Sequence, residues 1–104
     1  MIIKPKKSLG QNFLNDKNIL AKIVSVTKID GKSILEVGPG TGNLTTYILT
    51  KNPKKIFLIE KDKNLISILM NKFKDQTIIN DDILRINEKK ICKEKLTVFG
   101  NLPY

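Results

Sequence analysis

Two short stretches of this chain carry residue types suited to chemistry. One is the closing Asn101-Leu102-Pro103-Tyr104, which follows an apolar run. The other is Glu36-Val37-Gly38-Pro39-Gly40-Thr41-Gly42, about sixty residues earlier. In the first, the Asn side-chain oxygen and the next backbone carbonyl can accept the hydrogens of an exocyclic amino group. The Tyr ring can stack on the base that carries it. The same four residues also suit an ordinary turn leaving a strand, because Asn and Pro favour turns. In the second, glycines at alternate positions let the backbone approach a ligand closely and turn sharply into a helix. Tight strand-to-helix turns use glycine too. Asn43 stands where a dinucleotide fingerprint has its third glycine, which disfavours NAD and FAD.

Two acidic positions extend the pattern. Glu60 lies 22 residues after Gly38, where a carboxylate can accept both ribose hydroxyls of a nucleoside. Asp82 can accept from an adenine amino group, whereas its neighbour Asp81 reads as a turn residue. Glu36, beside the glycines, suits a cofactor carrying positive charge, such as the ammonium and sulfonium of S-adenosylmethionine. It suits pyrophosphate poorly. With no histidine and one cysteine, Cys92, the chain has neither a His-based acid or base nor an internal disulfide, and no metal site is expected.

The elements that must position these residues follow from apolar periodicity. A basic, irregular leader spans residues 1–14, and Ile19, Leu20, Ile23, Val24 and Val26 predict a helix over 16–27, capped by Asn15 or Asp16. Residues 33–37 read as a buried strand running into the glycines. Residues 43–51 read as a helix ended by Asn52-Pro53. A second strand at 55–60 is apolar on both faces, as a covered parallel strand should be. A helix over 63–73, built on Leu65, Ile66, Leu69, Met70 and Phe73, and a short strand at 77–79 follow. A polar, lysine-rich loop spans 85–95, and a fourth strand at 96–99 delivers the closing tetrapeptide. Such alternation implies an α/β fold, an open parallel sheet flanked by helices and cut off after its fourth strand. Ligands of these sheets bind beyond the carboxyl ends of the strands, where Gly38, Glu60, Asp82 and Asn101 all fall.

The 104 residues carry a net charge of +9, which favours a polyanionic partner. The lysines form clusters at Lys4-Lys6-Lys7, Lys54-Lys55 and Lys89-Lys90-Lys93-Lys95. Arg85 is the single arginine among 19 basic residues, and Ile and Asn are abundant. That bias also fits an A/T-rich genome, with the lysines forming solvated faces. No apolar run is long enough to span a membrane and the start lacks a signal peptide's apolar stretch, so a cytoplasmic location is expected.

Taken together, Ser8-Leu9-Gly10-Gln11-Asn12-Phe13-Leu14, the Glu36–Gly42 stretch and Val98-Phe99-Gly100-Asn101-Leu102-Pro103-Tyr104 resemble the KsgA/RsmA-type ribosomal RNA adenine dimethyltransferases. The erythromycin-resistance methylases belong to the same group. The resemblance covers essentially the whole chain and corresponds to the N-terminal, cofactor-binding portion of those proteins, here residues 1–104. It implies a Rossmann-like class I methyltransferase fold that acts on small-subunit ribosomal RNA within an assembling subunit. S-adenosylmethionine is placed against Asn12, Leu14, Gly38, Glu60, Asp82 and Asn101, with Ile83 packing near the adenine. A target adenine is placed against Asn101, Leu102, Pro103 and Tyr104. The family's further strands and helical C-terminal domain are missing, so an uncovered sheet edge and apolar face, with self-association, are expected. The longer proteins are expected to be monomeric. The alternative is a cofactor- or RNA-binding fragment without turnover.

Overall fold

A computed structural model of the chain describes residues 2–3, 17–86 and 94–101, with Ile2, Ile3 and Asn101 described by backbone alone. The elements are β1 (Ile2–Ile3), α1 (Lys17–Ser25), β2 (Ser33–Val37), α2 (Asn43–Leu49), β3 (Lys55–Glu60), α3 (Lys63–Lys72), β4 (Thr77–Asn80), a 3-10 turn (Ile83–Arg85) and β5 (Leu96–Asn101). The strands form one parallel sheet in the order β1-β5-β2-β3-β4.

Chain handedness explains which face each connection covers. Right-handed crossovers from β2 to β3 and on to β4 step in one direction, so α2 and α3 lie on one face. There Ile34, Ile56, Leu58 and Phe99 meet Leu20 and Val24 of α1, Leu44 and Ile48 of α2, Leu69 of α3, and Phe73. The chain then returns past β3 and β2 to place β5, and the described start of the β4–β5 connection lies on the opposite face. Ile83 and Ile86 pack there against Leu35, Val37, Phe57 and Ile59. Strands covered on both faces have no polar side to alternate with, which accounts for the continuous apolar run of β3.

Several expectations need correction. The sheet has five strands rather than four, because Ile2–Ile3 of the supposedly irregular leader pair with Gly100 and Asn101 of β5. The second face is not left bare, since Leu35, Val37, Phe57 and Ile59 are all buried. Helix α2 stops at Leu49, short of residue 51. Its end tightens through i→i+3 bonds from the amides of Thr50, Lys51 and Asn52 to the carbonyls of Tyr47, Ile48 and Leu49. Asn52 then takes a left-handed conformation with φ 57°, one of the few side chains that tolerates it. Val26 and Met70 belong to neither core, being 69% and 59% exposed.

Candidate functional site

Strand register brings the predicted residues to one rim. Val37 pairs with Ile59 on one side and Gly100 on the other, and Glu60 pairs with Asn80. The next residues, Gly38 and Asn101, therefore leave adjacent strands side by side, with Glu60 flanking Gly38. The amide of Gly38 donates to the Ile59 carbonyl at 2.8 Å, continuing the ladder one step past β2. The strand order turns back between β2 and β5, a switch point of the kind whose crevice takes the ligands of such sheets.

The glycine loop takes the conformation its composition allows. Gly38, Gly40 and Gly42 have φ of 67°, 62° and 89°, values that L side chains avoid. Over Gly40 no atom of the described residues beyond its two chain neighbours lies within 4 Å of where a Cβ would stand. Gly42 differs: its Cα faces the Phe73 ring, and it opens α2. From the last turn of α3, the Lys72 ammonium donates to the Thr41 carbonyl at 3.1 Å.

Glu60 is the hub of the site. The residue is 7% exposed. One oxygen accepts from the Gly40 amide at 3.2 Å and the other from the Asp62 amide at 3.0 Å. Glu60 thus ties the glycine loop to the β3–α3 turn, where Asp62 caps α3 through the Asn64 amide at 2.8 Å. A carboxylate has about four acceptor positions, so each oxygen retains one for a diol. Asn80 braces the same strand end by donating its amide to the Glu60 carbonyl at 2.9 Å.

Asp82 is half-buried and caps the 3-10 turn through the Leu84 amide at 3.0 Å, using one oxygen. Among the described residues the other oxygen has no donor. Asp81 accepts from the Asp82 amide at 2.7 Å, closing a turn. Asn12, Leu14, Leu102, Pro103 and Tyr104 lie outside the described residues, and Asn101 contributes only its backbone position at the end of β5. Among the described residues no group of three metal-ligating side chains occurs, and no helix is long and apolar enough to cross a membrane.

Sequence reasoning missed where Glu36 goes. It is 2% exposed and tucked beneath α2, where the Thr45 hydroxyl donates to it at 2.5 Å. It therefore does not line the opening as a side chain, although it lies one residue from the glycine loop's entry strand end. Burial pushes its carboxyl up to about 7; the Thr45 hydrogen bond opposes this, and the negative charge of Glu60 adds to it. A raised native pKa means that the native state holds a proton the unfolded state has already lost. The associated stability is complete below the ordinary carboxyl value of 4.5 and is lost as pH rises through about 7. The loss amounts to about 3 kcal/mol. Glu36→Gln should remove this slope and be the more stable form at pH 8. Denaturant unfolding of both proteins at pH 5 and pH 8 checks this, and parallel slopes would refute it.

Comparison with known proteins gives one answer. The model of the family described as ribosomal RNA adenine dimethylase matches residues 2–104. A protein of Pelagibacter ubique (strain HTCC1062) named ribosomal RNA small subunit methyltransferase A is 59% identical over 100% of this chain and 40% of its own length. One of the same name from Chlorobium phaeobacteroides is 46% identical over 98% of the chain and 38% of the relative. The chain thus spans about 40% of the length of these curated relatives. Among solved structures, the 23S rRNA methyltransferase ErmE superposes with a TM-score of 0.73 at 26% identity, over 86% of this chain and 36% of its own. A dimethyladenosine transferase from Plasmodium falciparum superposes at 0.69 and 29% identity, over 86% of this chain and 33% of its own. The fold is therefore that of the Rossmann-like methyltransferases, and the chain belongs to the ribosomal RNA adenine dimethylase family.

Proposed function

We propose that this chain forms the S-adenosylmethionine-binding part of an enzyme that converts adenosines of small-subunit ribosomal RNA to N6,N6-dimethyladenosine during ribosome assembly in the cytoplasm. The observation that carries the reading is the Glu60 carboxylate, held by two backbone amides beside the left-handed glycine loop, one strand away from the β2–β5 crevice. Glu60 takes the ribose hydroxyls, Gly38 borders the methionine part, and Asp82 uses its second oxygen for the adenine amino group. Asn12 and Leu14 cover the cofactor from the leader.

S-adenosylmethionine supplies an electrophilic methyl carbon on a sulfonium. The chain's task is to make a poor nucleophile attack it. The lone pair of adenine N6 is delocalised into the ring, so the amino group must be held out of conjugating geometry. Asn101 and the Leu102 carbonyl accept the N6 hydrogens, Pro103 fixes the turn, and Tyr104 stacks on a base taken out of its helix. Orientation and fixed dipoles lower the barrier, and water takes the released proton. No histidine is required.

The test pairs calorimetry of the chain with S-adenosylmethionine and incubation with labelled cofactor and undermethylated small subunits. Cofactor binding is expected, with label entering adenines when the partners are presented to a protein of the relatives' length. Label absent from adenines in that longer protein would leave a cofactor- or RNA-binding unit without turnover. A preference for NAD would overturn both readings.

A further inference from the structure

The rim opposite the glycine loop has its own character. Register aligns Ser33 with Lys55 and with Leu96, so Lys32, Lys54, Lys55 and Lys95 stand in one row along the amino ends of the central strands. Behind this row lies a cleft of about 380 Å³, lined by Val24, Lys28, Ile29, Asp30, Lys32 and Lys51 among others. Its floor is apolar, since Val24 and Ile29 are both 2% exposed, while Lys28, Lys32 and Lys51 are exposed around its mouth.

Charge here is unbalanced. Among the described residues around the amino ends of β2, β3 and β5, six lysines stand against two carboxylates, Asp30 and Glu94. Glu94 is taken by Lys54 at 2.5 Å, the one salt bridge among the described residues. Asp30 accepts from the Asn52 side-chain Nδ2 at 3.0 Å. The C-termini of α1 and α2 point to this end and contribute about half a negative charge each. Lys28, Lys32 and Lys51 outweigh them.

The cleft is also pre-built. The loop carrying Lys28 and Lys32 is braced to the one carrying Lys51 by Gly31 N–H to the Asn52 carbonyl at 3.0 Å and Lys54 N–H to the Lys32 carbonyl at 2.8 Å. A ligand arriving there would not have to order the backbone, and ordering costs are a main loss on binding. An apolar floor ringed by ammonium groups without bidentate donors suits phosphates read as charge rather than as sequence.

We infer that this amino-end cleft binds the sugar-phosphate backbone of the RNA substrate, as a second attachment about 20 Å from the methyl-transfer crevice at 3.3 Å per strand residue. The inference rests on the proposed RNA substrate. It adds a contact surface on the end of the sheet that carries no catalytic residue. Two separated attachments fix the orientation of an RNA helix, which one site gripping a single extruded base does not.

The test measures binding of end-labelled, undermethylated small-subunit ribosomal RNA over a series of salt concentrations. The combined variant Lys28→Gln, Lys32→Gln, Lys51→Gln removes three phosphate contacts. At about 0.7–0.9 per contact, from single strand to duplex, the slope of log affinity against log salt should become shallower by about 2–3. A control at the other end of the sheet, Lys17→Gln, Lys63→Gln, should leave the slope near that of the parent. An unchanged slope in the first variant overturns the inference, as does an equal loss in the control, which would mean bulk charge alone. Calorimetry with S-adenosylmethionine on the same proteins separates the two questions. Intact cofactor binding with an unchanged slope sinks only the second attachment, whereas lost cofactor binding in the parent chain sinks the function proposed above.

Discussion

Gly42→Ala is expected to destabilise the protein by about 3 kcal/mol. Two costs act together. The backbone there has φ 89°, which costs an L side chain about 1–2 kcal/mol. An added Cβ would also overlap the Phe73 ring, standing 2.7 Å from its Cζ and closer still to Cε2. Overpacking of this kind typically costs about 1–3 kcal/mol. Phe73 is 7% exposed and belongs to the main core, so the ring cannot simply swing into water. For a chain of this size the melting temperature should fall by about 15 °C. Adding Phe73→Leu should recover part of the loss relative to Phe73→Leu alone, because the clash goes while the backbone cost stays. Thermal melts of the four proteins measure that coupling, and strict additivity would show that the ring is not the obstacle.

Glu60→Ala should weaken S-adenosylmethionine binding by about 100-fold or more. Hydrogen bonds to a charged group contribute about 1.5–3 kcal/mol, and this carboxylate has two kinds to lose. Those to the ribose are direct. Those to the Gly40 and Asp62 amides act by holding the glycine loop against the β3–α3 turn. Glu60→Gln distinguishes them, since a glutamine oxygen can still accept one amide while its nitrogen cannot accept the other. It should bind with intermediate affinity and retain more of the parent's thermal stability. Calorimetry alongside a melt for each variant reads both effects. Unchanged cofactor affinity in the alanine variant would remove Glu60 from the ribose site.

Much of the fold could be read from residue pattern because β2, β3 and β5 are covered on both faces or lead straight into chemistry-bearing turns. The placement of Gly38 and Glu60 at one rim was legible for the same reason: they occupy strand ends, and register then sets them side by side. What escaped depends on contacts between distant residues. Nothing local to Glu36 says that Thr45 will cover it, and its turn into the core beneath α2 follows from the alternation of β2 once the faces are known. The pairing of Phe73 with Gly42 joins residues 31 positions apart. Ile2–Ile3 are too few to show any period, so their place beside β5 could not be anticipated.

That last pairing bears on the order in which the sheet is built. During synthesis the segments for β2, β3 and β4 emerge in succession and can close two neighbouring crossovers as they appear. β5 must then reach back to the free side of β2, and only afterwards do the earliest residues of the chain find a partner. Residues that precede β2 in the sequence are thus among the last to settle. Their contact joins residues 98 positions apart, the kind of non-local closure that slows folding. Refolding followed by probes on β3 and near Ile3 should show the central strands protected before this edge. Until β5 arrives, the flank of β2 stays available to neighbouring chains, so dilution should favour correct assembly more than added time does.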